Sequence, residues 1–436
     1  MSQRDTTNSG TILVLSQVYP PDPASVGQHM HDAAAELARR GHSVRVITAD
    51  SGYEDPSKKY PRREMRDGVD VRRKPFSSFG KKSLLTRGLG MATFMVQCLW
   101  AGFTTPRLSR ILVSTSPPMC GLAAAIVSMI RGVPFVYWVM DMNPDQLIAL
   151  GKTKPGSLIA RILNAIQRFV LGRAQHVVVL DRFMAERLCR KREVAHKMSV
   201  FPPWPHEDAL DLVRHEENPF RRDHGLESRF VLMYSGNHGF STPVGALLDA
   251  AERLAGAKEE RALFMFVGGG VRKKEVDARV KERQPRNVRS LPYQPIESLR
   301  FSLSAADVHM VTMEADVVGI VHPCKIYGAM AVARPILLLG PAECHAADIL
   351  RESEIGWHID TTDPEEIART VRRILNTDRR ALEEMGRRAS ALVQGKFSKD
   401  ALCGWFCDIV EGKTGRVPEA WRASSATAPA PAASAA

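Results

Sequence analysis

Short apolar runs alternate with longer amphipathic stretches along this chain. Residues 11–16 (TILVLS), 44–48, 111–115, 134–140, 175–180 and 198–201 have the length and composition of buried strands. Between them, residues 28–40 place Ala34, Leu37 and Ala38 on one helical face and stop at Gly41. Residues 121–130 and 157–172 read as further helices. Such alternation predicts βαβ units around a parallel sheet. Pro202-Pro203-Trp204-Pro205 then forms a stiff linker, and the rhythm starts again. Strands are predicted at 230–234, 263–267, 287–291, 307–312, 336–339 and 356–359. Helices are predicted at 244–257, 272–283, 296–305, 364–375, 380–393 and 402–410. The pattern therefore predicts two successive α/β domains.

The polar breaks in this pattern carry the candidate chemistry. The strand at 230–234 runs into Ser235-Gly236-Asn237-His238-Gly239, and the strand at 263–267 into Gly268-Gly269-Gly270. Glycines at two consecutive βα corners leave backbone N–H groups open to a diphosphate. Neither corner has the G-x-G-x-x-G or G-x-x-x-x-G-K-[ST] spacing, so a dinucleotide fingerprint and a P-loop are both absent. Residues 321–339 read as a loop, a short helix and a strand, with Lys325 where the loop becomes helix. A lysine there can join helix N–H groups in holding an anion. It can equally be a solvated lysine on an ordinary βα turn. The loop at 313–321, which leads into this stretch, carries Glu314 and Asp316.

The first half offers fewer groups. Gly27, at the first βα corner, either lets a ligand approach the backbone or forms a plain turn. His29 and His31 are expected to face a cleft. Asp141 lies at the carboxyl end of the strand at 134–140, where ligands sit in such sheets. It can orient or deprotonate an acceptor hydroxyl, or simply shape, with Asn143, the turn before Pro144.

Composition narrows the partners. A chain of 436 residues, 44% hydrophobic and 25% charged, suits a soluble protein of two domains. Seven cysteines without a C-x-x-C pair indicate neither a disulfide framework nor a zinc site; reduced cytoplasmic thiols are expected. The polar residues 1–10 show no secretory signal. A net charge of +12 favours a nucleotide, a nucleic acid or an acidic membrane surface. Residues 58–87 hold eleven Lys/Arg against three Asp/Glu, and residues 88–105 carry no charge in eighteen positions. A spanning helix needs about 20 apolar residues. A helix lying on or dipping into an anionic leaflet is therefore expected, the alternative being a helix that covers the sheet.

At this point the sequence resembles a family 4 retaining glycosyltransferase of GT-B fold. The resemblance rests on Tyr19-Pro20-Pro21 with Gly27 and on residues 37–46 (LARRGHSVRV). It continues through Tyr234-Ser235-Gly236-Asn237, residues 266–270 (FVGGG), Ser304-Ala305-Ala306-Asp307-Val308 and the stretch around Lys325 to Arg334-Pro335. It is most similar to the branch that acts on lipid-linked sugars in polysaccharide or O-antigen assembly. In that branch His322-Pro323-Cys324-Lys325 resembles a common Pro-Ser-Lys. Ile320 and Gly328 stand where the family often has two glutamates. Asn237 and about Thr242 stand where an Arg and a Lys usually clamp the donor phosphates.

The resemblance implies two Rossmann-like domains facing across a cleft, with a C-terminal helix that could return to the first. Residues 1–10 and 416–436 would be disordered. Residues 11–205 would form the acceptor side, 206–395 the nucleotide-sugar side and 396–415 the terminal helix. A hexosyl or N-acetylhexosaminyl group would pass, with retention and without metal or cofactor, from a nucleotide diphosphate sugar to a membrane-associated, lipid-linked acceptor. The enzyme would be cytoplasmic, peripheral on an anionic membrane surface, with no nucleic acid partner. Lys325, Asp141 and His29 would be the catalytic residues. The donor would lie against Gly236, Asn237, His238, Gly239, Gly268, Gly269, Glu314, Asp316, Lys325, Ile326 and Tyr327, and the acceptor near Gly27 and Gln28. A sugar-nucleotide epimerase or hydrolase on the same fold, and a non-catalytic membrane-bound scaffold, are the alternatives.

Overall fold

The computed structural model describes residues 10–52, 55–76, 84–205, 212–239, 242–257 and 259–423. The chain divides into two compact units. The first comprises the chain up to Pro203, Gly319–Val321 and the segment from Leu402 onward; the second comprises Trp204–Val318 and His322–Ala401.

The first unit is built on an eight-stranded sheet. Its strands are β1 (Thr11–Leu15), β2 (Ser43–Ala49), β3 (Arg63–Arg66), β4 (Val69–Lys74), β5 (Leu108–Ser114), β6 (Phe135–Trp138), β7 (His176–Val179) and β8 (Met198–Val200). Their order is β3-β4-β2-β1-β5-β6-β7-β8, and only β3 runs antiparallel to its neighbour. The central strands are apolar along their whole length because helices cover both faces, as parallel sheets require. Ile12, Leu13, Val14 and Leu15 are all fully buried.

The basic stretch is more structured than its composition suggests. Its middle forms the β3–β4 hairpin at the sheet edge. Arg73 points inward from β4, where alternate residues are buried. Its guanidinium donates to the Pro20 and Pro61 carbonyls and pairs with Glu64 at 2.6 Å. Burial alone would raise the Glu64 carboxyl, but its bonds from Arg73 and Arg66 outweigh that and hold it low. Arg45 and Arg72 share Asp70. Several of these cations are thus committed within the fold.

The apolar stretch forms the helix Leu84–Thr104. Phe94, Cys98 and Ala101 face the core, fully or almost fully buried. At Gly102 an added Cβ would come within 2.4 Å of the Val127 side chain on the next helix, Cys120–Arg131. The opposite face is bare: Leu89, Val96, Trp100 and Phe103 are 61%, 62%, 66% and 41% exposed. One face of the helix thus covers the sheet, as the alternative expectation had it, and the other is left exposed. Among the described residues no helix is long and apolar enough to cross a membrane.

The terminal helix Lys399–Val410 packs in the first unit. Phe406 lies 4.3 Å from Trp138, ring to ring. Arg40 pairs with Asp408 at 2.7 Å, and His42 with Glu411 at 2.8 Å.

The second unit has a six-stranded parallel sheet: β9 (Phe230–Asn237), β10 (Ala262–Gly269), β11 (Val288–Leu291), β12 (Val308–Thr312), β13 (Ile336–Leu339) and β14 (Gly356–Ile359). The order is β11-β10-β9-β12-β13-β14. The sequence leaves β9 towards β10 on one side and returns to β12 on the other. The carboxyl ends of β9 and β12 thus form the switch point where ligands bind in such sheets.

Candidate active site

The glycine-rich corners meet at the carboxyl ends of β9 and β10. Gly236 and Gly268 are paired in register, and both have positive φ, +119° and +128°. A Cβ on Gly268 would strike the Gly236 carbonyl oxygen at 2.0 Å, so the two turns can approach only as glycines. His238 holds them together. Its backbone N–H and its Nδ1–H both donate to the Gly269 carbonyl, at 2.7 and 3.2 Å, and Arg272 N–H donates to the His238 carbonyl. Burial pushes the His238 imidazole down to about 4; the Gly269 bond opposes this, and Lys273 and Lys325 add to it. The ring is neutral at pH 7. Its Nε2, a lone-pair acceptor, is buried without a hydrogen-bond partner among the described residues.

Lys325 lies directly over this corner. A Cβ on Gly236 would touch Lys325 Cε at 3.1 Å, and the ammonium sits 5.2 Å from the centre of the Tyr234 ring. Tyr234 is fixed from below by its hydroxyl, bonded to Thr242 Oγ1 at 2.9 Å and donating to the Asn237 carbonyl. The lysine is therefore placed by packing against β9.

The helix that follows contributes less than the sequence suggested. Lys325–Ala331 has seven residues, and the Ile326 and Tyr327 N–H groups already donate to Pro323 and Cys324 carbonyls. The Ile326 side chain is fully buried. Tyr327 is buried too, its hydroxyl bonded to His322 and His345 at 2.9 and 3.0 Å. These two residues support the loop from inside, which corrects their assignment as donor contacts.

Further cations stand at the same corner, beyond those read from the sequence. Arg272 reaches Glu314 at 3.9 Å and Glu275 at 3.4 Å. Lys273 is buried and bonded to Asp277 at 2.8 Å and to Ser290. A groove of about 410 Å³ runs beside Gly268, Gly269 and Gly270, lined by Lys273, Lys274 and Pro292. The signal was present as Arg272-Lys273-Lys274, one residue beyond the three glycines. Glu314 is half-buried beside Arg272, while Asp316 is exposed on the short turn Ala315–Val317. Asn237 is exposed, its Oδ1 where a Cβ on Gly270 would fall, and the Gly239 carbonyl accepts from Thr242 N–H. Among the described residues no group of three or more His, Cys, Asp or Glu could hold a metal ion.

The first unit brings one carboxylate to a groove. Asp141 follows β6, and its N–H and that of Met140 donate to Thr115 Oγ1 at 3.0 and 3.1 Å. Burial pushes its carboxyl up to about 6. Gln146 Nε2 donates to its Oδ1 at 3.5 Å. Close by, the Asn143 amide nitrogen is buried without a partner among the described residues.

His29 does not join this site. It is 2% exposed; its Nδ1–H donates to the Ser25 carbonyl at 2.8 Å, and its ring meets the edge of Trp138. It is a core residue, which corrects its catalytic assignment. His31 instead pairs with Asp67 at 3.0 Å and bonds to the Tyr19 hydroxyl. Gly27 serves packing: a Cβ there would meet the Tyr19 backbone at 3.0 Å. Gln28 donates to the Pro23 carbonyl at 3.0 Å.

Two family models divide the chain where the fold does. One for glycosyl transferase 4-like domains matches residues 25–204, and one for glycosyl transferases group 1 matches residues 216–391. The chain is a family 4-like glycosyltransferase of GT-B fold. It is 26% identical to WbjE of Pseudomonas aeruginosa, a probable glycosyltransferase, over 89% of this chain and 94% of the relative. It is also 26% identical to WcaI of Escherichia coli strain K12, named as a glycosyl transferase of colanic acid biosynthesis, over 74% of this chain and 81% of that one. HepE of Anabaena, crystallised with UDP and glucose, shares the glycosyltransferase's fold with a TM-score of 0.66 at 14% identity, over 92% of this chain and all of that one.

Proposed function

We propose that this glycosyltransferase moves a sugar, with retention, from a nucleoside diphosphate sugar to a lipid-linked acceptor in polysaccharide assembly. The observation that carries the reading is Lys325 held over the paired glycines of β9 and β10. A leaving diphosphate gains negative charge as the sugar departs. A preorganised ammonium and open backbone at that point stabilise the transition state more than the ground state. Arg272 and Lys273 enlarge the positive field. A neutral His238 keeps the two turns together without competing for the anion.

The donor class also rests on the likeness to HepE, which was crystallised with UDP. The polysaccharide setting rests on WcaI, by its name a colanic acid biosynthesis enzyme. Asp141 is the group suited to orient an acceptor hydroxyl, because its proton affinity lies close to working pH. Peripheral attachment to an anionic leaflet is supported by the bare apolar face of Leu84–Thr104, together with Met129 and Ile130, 53% and 63% exposed.

Incubating the purified protein with a panel of nucleotide sugars, with and without a membrane lipid extract, tests the reading. Nucleotide release that depends on lipid is expected. Equal release without lipid would make the protein a hydrolase, and no nucleotide binding at all would leave a scaffold.

A further inference from the structure

Lys325 stands over the end of β9, and the groove beside the three glycines lies further along the sheet, over the ends of β10 and β11. Its volume of about 410 Å³ suits a small ligand, for which sites of about 300–1,000 Å³ are usual. Leu291 and Pro292 give it an apolar wall, and the first turns of the helix Lys273–Arg283 supply its polar groups.

One of these groups is a carboxylate that is both fixed and open. The Asp277 side chain is 55% exposed. Lys273 Nζ donates to its Oδ1 at 2.8 Å, and Ser290 Oγ donates to the same oxygen. Burial alone would raise this carboxyl, but the bonds from Lys273 and Ser290 hold it low, so it is ionised at pH 7. An ionised carboxylate has about four acceptor positions, and the two bonds leave about half of them for a ligand. Lys274 and Asp277 are an i,i+3 pair, so they stand side by side on one face of the helix. Lys274 is exposed and makes no ion pair among the described residues.

The groove therefore sets a cationic donor next to an acceptor of two bonds. Guanine has the complementary edge: O6 accepts, and beside it N1–H and the 2-amino group both donate. Uracil places its single N–H between two carbonyl oxygens, which a carboxylate repels. Adenine sets a ring lone pair beside its only amine. We propose that Asp277 and Lys274 read the base of the sugar donor, and that this base is guanine. The inference rests on the nucleoside diphosphate donor proposed above and adds the base to it.

Calorimetry on the full chain with GDP, inosine diphosphate, UDP, ADP and inorganic pyrophosphate tests it. GDP is expected to bind about tenfold tighter or more than UDP or ADP, the discrimination of a good bidentate contact. Inosine diphosphate lacks only the 2-amino group and should bind about fivefold more weakly than GDP, a comparison that needs no variant. Asp277→Asn should remove the preference for GDP over UDP, while pyrophosphate binds no more weakly than before. Lys274→Ala should weaken GDP and inosine diphosphate by the same factor, since both carry O6. UDP or ADP binding as tightly as GDP would overturn the guanine assignment and leave the donor reading standing. An Asp277→Asn protein that keeps the full preference would overturn the role of Asp277. Failure of every nucleoside diphosphate to bind would refute the donor reading, and this inference with it.

Discussion

Two side chains carry most of the chemistry proposed here, and each makes a separate prediction. Lys325→Ala should weaken nucleoside diphosphate binding by about 1.5–3 kcal/mol, the size of a charge-assisted hydrogen bond. Calorimetry that shows unchanged affinity would hand the phosphate to Arg272 and Lys273. Asp141→Asn should instead lower turnover and leave donor affinity intact. It should also stabilise the protein at neutral pH. Burial raises the Asp141 carboxyl from 3.8 to about 6, so the folded state disfavours its charged form. The sign follows: stability is lost as pH rises through that window, and the neutral amide escapes the loss. The gain at pH 7 should be on the order of 1–3 kcal/mol. A variant that is both less active and more stable marks a residue kept for function. The wild-type rate should climb through pH 6, and that limb should flatten in the variant.

At the scale of elements, the helix Leu84–Thr104 separates two roles within one apolar run. Phe94 is fully buried, so Phe94→Ser should cost several kcal/mol, about 3–5 as for other large-to-small changes in a core. Leu89 and Trp100 are 61% and 66% exposed, so replacing both with serine should leave the unfolding midpoint unchanged. Each buries about 1.5–3 kcal/mol if it enters a bilayer, so sedimentation with anionic vesicles should fall in that double variant. Unchanged sedimentation would remove this face from the membrane. Composition made this segment legible as apolar, but it could not say which positions face inward, because a uniformly apolar helix has no polar side to mark. The β3–β4 hairpin was hidden for the converse reason. Arg73 occupies an inward strand position and reads as surface charge until Glu64 and the Pro20 and Pro61 carbonyls are seen around it. The glycine corners and Lys325 were legible because a turn needing positive φ and a cation at a βα junction leave marks in the chain itself. The bond from Tyr327 to His345, and the burial of His29 against Trp138, depend on partners further off in sequence.

At the scale of the molecule, the two units should respond differently to acid. Burial holds His215, His238 and His309 in the second unit, and His176 in the first, down to about 4. A lowered imidazole means that the unfolded chain takes up the proton first. Stability therefore falls as pH drops from 6.5 towards 4, by up to about 1.4 kcal/mol per pH unit for each histidine. Three of the four lie in the second unit, and in the first Asp141 works in the opposite direction. Urea unfolding at pH 7.5 and pH 5 should thus move the second unit's transition further than the first's; equal shifts would show that these imidazoles do not govern it. The central claim is that a cationic, glycine-lined corner spends a nucleotide sugar on a lipid-linked acceptor. Its most direct test is the transfer of radiolabelled sugar into an organic-extractable lipid fraction by the purified protein, compared with Lys325→Ala. The account predicts label in the lipid phase with the wild type and at least a tenfold lower rate with the variant. Label that stays in water, or that reaches lipid equally well without Lys325, would contradict it.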